Sequence, residues 1–551
     1  MYFLGISGMM HDPAACLVKD NQIIAFVEEE RFNRIKHSPK SFPSKAVSFC
    51  LKKAGIKLSE VDKIGFHFNP SYKNLFWKRK SQLLRGPEQL VGTPYLRASV
   101  FNFVNSGFIK NFRLKPKVEY IDHHIAHAAS SFYLSGFKDA TILTIDGAGE
   151  STATMAARGS DEKIDVLKEF SLPNSLGIAY MAMTEWLGFQ AFEGEGKVMG
   201  LAPYGKKYMK IFDEIIKKTP GGYRFDHRYD NKAWSYSDFA VEMLGHARLP
   251  SDKSDYTAYQ KNVAYSMQLR LEEVVKHLVE IFVDETGSKN LCLAGGVALN
   301  SKMNGEILYS GLVDDIFIQP AANDSGNAIG CAIKMAVDHG NKFKKMEHIY
   351  YGPEYSDDDI KKLLQMLKIE AGYYSDIAGK AAELLSKGKI VGWFQGRMEG
   401  GPRALGNRSI LADPRDPKMK DTINFYVKHR EAFRPFCPSV LDEKRSKYFE
   451  VDHETPFMIL IQKVPEEAQK DIPAVVHTDG TMRSQTVTKE ANEKYHRLIS
   501  EFYKLTSVPV LLNTSFNVAG EPIVNTPQEA IADFYREGMD ALAIGNYLLT
   551  K

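Results

Sequence analysis

TILTIDGAGESTATMAARGSDEKIDVLKEF, residues 141–170, reads as an apolar strand, a Gly-containing turn, a second strand, a turn at RGSDEK and a third strand. Residues 2–30, YFLGISGMMHDPAACLVKDNQIIAFVEEE, follow the same course, with their first turn at GMMHDP. Short apolar runs bounded by Gly, Asp and Pro clusters are strand and hairpin signals. Two such units predict a duplicated α/β core, each half opening on a hairpin pair. Helical patterns fill the intervals: Ser44–Ala54 and Val263–Phe282 carry apolar residues at 3–4 spacing, the mark of one buried face. LCLAGGVALN (Leu291–Asn300) reads as a strand, a Gly-Gly turn and a helix start. Asp314–Val337 reads as a strand, a loop and a helix containing Gly326 and Gly330.

A chain of 551 residues is too long for one core. At 44% hydrophobic and 25% charged residues it has the ordinary balance of a soluble globular protein, which excludes a disordered chain, a collagen-like fibre and a charged coiled coil. His339–Asp359 lapses into Gly, Lys, Pro and Asp, so a boundary near residue 350 is expected, giving domains 1–350 and 351–551. Strands are expected at Lys387–Phe394 and Val508–Leu512 in the second. Lys and Arg number 71 against 68 Asp and Glu, and a net +3 is too weak a field to indicate a nucleic-acid binder. The five cysteines contain no C-x-x-C pair, which argues against a disulfide framework or thiolate zinc site and for a reducing compartment. With no long apolar run and no basic-then-apolar leader, a cytoplasmic location away from membranes is expected.

IDHHIAHAASSFY (Ile121–Tyr133) lacks Pro and Gly and predicts a helix, on which His123 and His127 share a face and His124 does not. Alone, such a pair is either two metal ligands or incidental. Asp146 follows an apolar strand just before a Gly turn, and Asp324, in PAANDSG, is placed likewise. Two His and two Asp form a mixed N/O set that suits Fe, Mn or Zn. Gly295 and Gly296 stand at a strand-to-helix turn, where glycine admits close backbone approach and helix N–H groups attract phosphate, although such a pair is also simply a turn. GEGKVMGLAPYG (Gly194–Gly205) sets glycines around Lys197 and is either a loop or a phosphate contact.

In the second domain, Arg403–Arg434 holds 8 basic and 4 acidic residues although residues 351–551 carry 27 Lys and Arg against 29 Asp and Glu. GRMEGGPRALGNRSI (Gly396–Ile410) mixes glycines with Arg397, Arg403 and Arg408. Lys428, Arg434 and Arg483 follow downstream. Arginine forks bind phosphate and carboxylate oxygens in pairs, which favours a binding loop over a solvated basic face. LLNTSFNVAGEPI (Leu511–Ile523) presents Asn513 and Ser515 after an apolar strand.

HDPAACLV, EEERFNRIKH, HHIAHAASSFY, LTIDGAGE, GEGKVMGLAPYG, GGVALN, EGGPRALGNRSI, FRPFCPSV and LNTSFN occur here in the order found in the NodU/CmcH-type O-carbamoyltransferases. The resemblance runs from Tyr2 to about Tyr547. It implies a duplicated ribonuclease-H-like, actin- and Hsp70-like ATPase fold in the N-terminal domain and a YrdC-like α/β C-terminal domain. It implies a cytoplasmic enzyme that forms carbamoyl adenylate from carbamoyl phosphate and ATP, with Mg2+, and then carbamoylates a hydroxyl of a small-molecule acceptor such as a natural product or sugar. By the resemblance His123, His127, Asp146 and Asp324 bind a metal, Fe2+ foremost, with Mn2+ or Zn2+ as alternatives. Lys197, Gly295, Gly296, Asn300 and Asp324 face nucleotide. Arg403, Lys428, Arg434, Arg483, Asn513 and Ser515 hold carbamoyl phosphate and nucleotide phosphates. His11 and Asp12 match the HD pair near the transfer site, where an ordinary imidazole pKa would let His11 take the acceptor's proton.

Two departures, Met9–Met10 in the first turn and Ser38 in KHSPKSFP, lie toward the expected acceptor entrance and leave its identity open. A tRNA threonylcarbamoyl transferase would want a basic acceptor surface, and residues 1–350 hold only 44 basic against 39 acidic residues. A non-catalytic nucleotide-sensing chaperone of the same fold would have no use for the second domain's arginines. Lys73–Phe112, with its Lys, Arg and aromatics, reads as an amphipathic helix pair in preference to an acceptor-binding insert. The sequence does not indicate an oligomeric state.

Overall fold

The structure is a computed structural model that describes residues 1–8, 10–68, 117–231, 234–252 and 254–551. The expectation for Lys73–Phe112 lies outside these. The chain divides into two compact units, one of Met1–Glu29 with His37–Met346 and one of Glu30–Lys36 with Glu347–Lys551. The second unit thus begins beside the expected boundary but also takes in a short N-terminal stretch that no composition shift marks.

The first unit holds two sheets of one topology. In the first, β1 (Tyr2–Ser7), β2 (Ala14–Lys19) and β3 (Gln22–Glu28) form an antiparallel meander, and β4 (Lys63–Phe66) and β5 (Lys117–Tyr120) add in parallel, giving the order β3-β2-β1-β4-β5. In the second, β6 (Asp139–Ile145), β7 (Thr152–Ser160) and β8 (Lys163–Ser171) form the meander, followed by a separate hairpin of β9 (Ile216–Thr219) and β10 (Gly222–Phe225). β11 (Asn290–Ala294) and β12 (Asp315–Ile318) then add in parallel, giving β12-β11-β6-β7-β8. The expected duplication is therefore present strand for strand. A helix follows the last strand of each sheet: His123–Ser135 after β5 and Ser325–Asp338 after β12.

Those two helices and β1 pack at backbone distance. A methyl group added at Gly330 would lie 1.9 Å from the Ala126 carbonyl oxygen, and one at Gly5 would lie 1.9 Å from that of Ala328. Glycine is required there by closeness, and nearly every residue of both helices is buried. The long helix Ala258–Thr286 contains the expected Val263–Phe282, starts at a Thr257–Gln260 capping box and stops at left-handed Gly287.

The second unit is a mixed eight-stranded sheet of order β13-β22-β21-β14-β15-β20-β16-β19. Its strands are β13 (Gly372–Tyr373), β14 (Val391–Phe394), β15 (Arg408–Ala412), β16 (Cys437–Leu441), β19 (Gln485–Val487), β20 (Val510–Ser515), β21 (Ala541–Ile544) and β22 (Tyr547–Thr550), and β17 (Ile461–Lys463) pairs apart with β18 (Thr481–Arg483). The strand expected at Lys387–Phe394 starts later. Helix Ile377–Ser386 ends just before it and turns through Gly388, whose φ of 76° lies in the left-handed region. Helices Ile377–Ser386 and Glu493–Thr506 pack together over a core that includes Trp393, Tyr495, Leu498 and Phe502.

Gly330→Ala forces a methyl group into a backbone oxygen, so urea unfolding is expected to show a loss of about 1–3 kcal/mol or more. Gly196→Ala, at a site with no atom within 4 Å of the new methyl, is expected to stay near wild type.

Candidate active site

Four side chains converge where the two halves of the first unit meet. His123 and His127 occupy the first and second turns of their helix, Asp324 immediately precedes helix Ser325–Asp338, and Asp146 follows β6. The His127 Nε2 lies 3.1 Å from the His123 Nε2 and 3.0 Å from the Asp146 Oδ2. Asp324 Oδ1 lies 3.5 Å from the His123 Nε2 and 3.7 Å from the His127 Nε2. Ligands bonded at about 2.1 Å to one ion stand roughly 3.0–3.4 Å apart; the separations among His123, His127 and Asp146 fall in this range and those to Asp324 lie just beyond it. The donor set fits a divalent transition ion. As expected, His124 turns away, to the Thr144 hydroxyl at 2.7 Å and the Thr152 carbonyl at 3.0 Å.

Burial disfavours the charged imidazolium of His123, but the Asp324 and Asp146 carboxylates overcome this and raise its pKa to about 9. Burial likewise works against Asp146 ionising, yet its hydrogen bonds to His123 and His127 hold it well below the usual carboxylate range. The residues around these four carry no local sequence signal. His67, directly after β4, sets its Nδ1 3.2 Å from the His123 Nδ1 and its Nε2 3.3 Å from the Gly8 carbonyl. The Gly8 backbone N–H also donates to His67 Nε2, at 3.1 Å, so His67 ties the turn after β1 to His123. Glu150 accepts the His123 backbone N–H, and the Asn327 Nδ2 lies 3.2 Å from the His127 Nε2.

His11 and Asp12 border this cluster. Asp12 sits between two imidazoles, the His11 Nδ1 at 3.0 Å and the His37 Nδ1 at 2.7 Å, and the His11 Nε2 lies 3.7 Å from Asp324 Oδ2. Burial works against the imidazolium of His11, but Asp324 and Asp12 outweigh it and raise the pKa to about 10. This stands above the ordinary imidazole value.

The glycine pair is explained by packing. Gly295 has φ 89° and a methyl there would lie 2.3 Å from the Ile145 carbonyl oxygen, while one at Gly296 would stand 3.2 Å from the Asp146 Oδ1. Asn300 caps helix Ser301–Tyr309 through Met303 N–H and exchanges amide hydrogen bonds with Gln268, whose Nε2 also donates to Glu272 at 2.8 Å. The Gly194–Gly205 stretch is a short helix, Glu195–Leu201, and a single 3-10 turn instead of an open loop; Lys197 lies over the Phe189 ring at 5.5 Å.

The arginines of the second unit fall into two sets. Arg408 is wholly buried and gives its guanidinium to the carbonyls of Gln395, Gly396, Asn407 and Pro353, and Arg397 donates to those of Tyr351 and Gly352. These two brace backbone and are not the phosphate forks expected of them. Arg403, Arg430, Arg434 and Arg483 instead gather around Cys437, whose Sγ accepts from Arg483 Nε at 3.2 Å and Nη2 at 3.0 Å. Burial, followed by the charges of Arg483 and Arg434, lowers the Arg403 pKa to about 9, and Arg403 Nε is buried with no hydrogen-bond partner among the described residues. Lys428 donates to the Ser515 and Asn517 carbonyls and to the Asn517 amide oxygen, and Asn513 donates to the Ala404 carbonyl and to Ser439 Oγ. Both therefore shape the cluster's walls, and the Ser515 hydroxyl is engaged with Asn517 at 2.6 Å.

Residues 2–333 match the family described as Carbamoyltransferase N-terminus, and residues 382–551 match Carbamoyltransferase C-terminus. Nodulation protein NolNO of Sinorhizobium fredii is 39% identical over 98% of this chain and 79% of its own length. Nodulation protein U of Rhizobium tropici is 28% identical over 93% of this chain and 90% of its own length. The chain belongs to the carbamoyltransferase family. It is a carbamoyltransferase, and the chaperone reading is set aside. Among solved structures, the HypF of T. kodakarensis aligns with 62% of this chain and 48% of its own at 15% identity, with a TM-score of 0.36. Among the described residues no helix is long and apolar enough to cross a membrane.

Two outcomes follow from this geometry. The protein is expected to bind one divalent ion at this site, with His127→Ala and Asp324→Asn weakening affinity more than about 100-fold and His124→Gln keeping it, as read by elemental analysis after dialysis. Glu272 is raised by burial to about pKa 7 in the folded chain. The stability that goes with its protonated form is complete below the unfolded value near 4.5 and is lost as pH rises through 7. Glu272→Gln is expected to flatten that decline and to be the more stable protein at high pH, as read from urea midpoints across the range.

Proposed function

We propose that this carbamoyltransferase works in two steps, with carbamoyl adenylate between them. The second unit, a YrdC-like domain on this reading, converts carbamoyl phosphate and ATP to carbamoyl adenylate, phosphate and pyrophosphate. Release of both leaving groups takes up one water. Phosphate departs from the carbamoyl group, and the carbamoyl oxygen becomes bonded to the α-phosphorus of ATP as pyrophosphate leaves with Mg2+. The first unit then moves the carbamoyl group to a hydroxyl of a small-molecule acceptor, a natural product or sugar, and AMP leaves.

The observation that carries this reading is the guanidinium cluster. Four arginines are held together with a depressed Arg403 pKa and an unpartnered buried donor, an arrangement that asks for a polyanion. Such donors, fixed before charge builds on a departing phosphate, stabilise it without reorganisation. Arg403, Arg434 and Arg483 take the phosphates, with Lys428, Asn513 and Ser515 setting the walls. In the first unit His123, His127, Asp146 and Asp324 hold the ion, with iron favoured by the resemblance. When bound, a divalent ion supplies a Lewis acid for phosphate or the acyl oxygen. Lys197, Gly295, Gly296 and Asn300 line the nucleotide side, and His11 with Asp12 orients the acceptor hydroxyl.

Metal-loaded protein is expected to release pyrophosphate from ATP only when carbamoyl phosphate is present, and Arg403→Ala to slow this about 10²–10³-fold. A folded wild type that releases none, yet shifts tRNA at physiological salt, would point to the threonylcarbamoyl reading instead.

A further inference from the structure

The loop between β14 and β15 carries Arg403, and at its centre is a carboxylate. Glu399 is 1% exposed. Its Oε1 accepts three backbone N–H groups of the same loop, from Leu405 at 2.7 Å, Asn407 at 3.2 Å and Arg408 at 3.2 Å. The intervening Gly406 N–H goes to Ser409 Oγ at 3.1 Å. Glu399 Oε2 is buried without a hydrogen-bond partner, and the charge of the buried Arg408 guanidinium acts on the carboxylate. A carboxylate removed from water is costly, and here three backbone N–H groups hold it together with the nearby Arg408 charge. The loop therefore folds around this side chain. With its N–H groups drawn inward, its carbonyls face outward to fixed donors: Ala404 to Asn513, Leu405 to Tyr350 and Gln485, and Gly406 to Trp393 Nε1. Arg403 leaves the chain just before this stretch, so its guanidinium position depends on the turn that Glu399 sets.

We propose that Glu399 is a positioning residue for the adenylate-forming step, acting through Arg403. The inference rests on the function proposed above. The oxygen that takes the three N–H groups is what matters. Glutamine at this position keeps an oxygen at the same reach, aspartate withdraws it by one methylene, and alanine removes it.

The test measures calorimetric binding of carbamoyl phosphate and pyrophosphate release for the full chain and for Glu399→Gln, Glu399→Asp, Glu399→Ala, Arg403→Ala and the Glu399→Ala/Arg403→Ala pair, with urea midpoints as the folding control. Since a misplacement near 1 Å can cost about 10²-fold, Glu399→Ala is expected to lower kcat/KM for carbamoyl phosphate by about that factor. Glu399→Asp should fall between, and Glu399→Gln should stay within about fivefold of wild type. The pair is expected to be no slower than Arg403→Ala alone, a non-additivity that marks two residues acting as one and that a general loss of stability does not produce. If Glu399→Ala fails to fold, the Gln and Asp variants decide. An active wild type with Glu399→Ala or Glu399→Asp equal to it, with Glu399→Gln inactive, or with fully additive losses in the pair, overturns this proposal and leaves the proposed function standing. A wild type that binds carbamoyl phosphate but releases no pyrophosphate overturns the adenylate step, and Glu399 is then judged on affinities alone. A wild type that does not bind carbamoyl phosphate overturns both.

Discussion

Backbone meets backbone at Gly5 and Gly330, and the first unit depends on that closeness. With no side chain between them, helix Ser325–Asp338 lies against β1 and against helix His123–Ser135. The N-terminal ends of the two helices are thereby brought together, one carrying His123 and His127 and the other preceded by Asp324. A separation larger by one methyl group would open donor distances that now run from 3.0 to 3.7 Å. Core packing and site geometry are here a single constraint, since interiors at crystal-like density transmit small displacements.

The second unit arranges its charges by a different rule. Its basic stretch contains two populations that composition cannot separate. Arg397 and Arg408 satisfy carbonyl oxygens, whereas Arg403, Arg430, Arg434 and Arg483 face one another around a thiol. Like charges at close quarters oppose folding unless an anion joins them. The lowered pKa of Arg403 reflects that opposition, and burial contributes the larger part. Glu431 meets Arg434 at 3.7 Å, whereas Arg403 Nε is left without a hydrogen-bond partner among the described residues, on a loop held by Glu399 from within and by amide and indole donors from outside.

Much of the first unit was legible because its signals are local. Apolar strand, turn and strand recur at β1–β3 and β6–β8, and the i, i+4 histidines with two strand-end aspartates mark one site. Residues met only through the fold were not legible. His67 is a lone histidine after a short strand, and it gains meaning only once β4 places it 3.2 Å from His123. Glu399 lies in a stretch whose arginines and glycines draw attention to phosphate, yet its three partners come from the backbone, which carries no sequence signal. The helix within the Gly194–Gly205 stretch was not legible for a related reason. Two of its glycines serve close packing, since a methyl group at Gly194 would lie 2.6 Å from Thr184 and one at Gly205 2.4 Å from Tyr265.

Duplication also explains why the candidate site is asymmetric. Each half supplies two arms to the centre, the turn after its first strand and the start of its last helix. In the second half both arms end in carboxylates, Asp146 on the turn and Asp324 at the helix. In the first half the helix carries two imidazoles, and the turn carries His11 and Asp12. Three arms therefore bring the candidate ligands to one point, and the fourth stops short of it, with the His11 Nε2 3.7 Å from Asp324 Oδ2. That arm is held separately: Asp12, at φ 49°, accepts from His37 as well as His11. The same fold repeated twice thus brings three arms and not four to one point, because the two copies of one turn carry different residues.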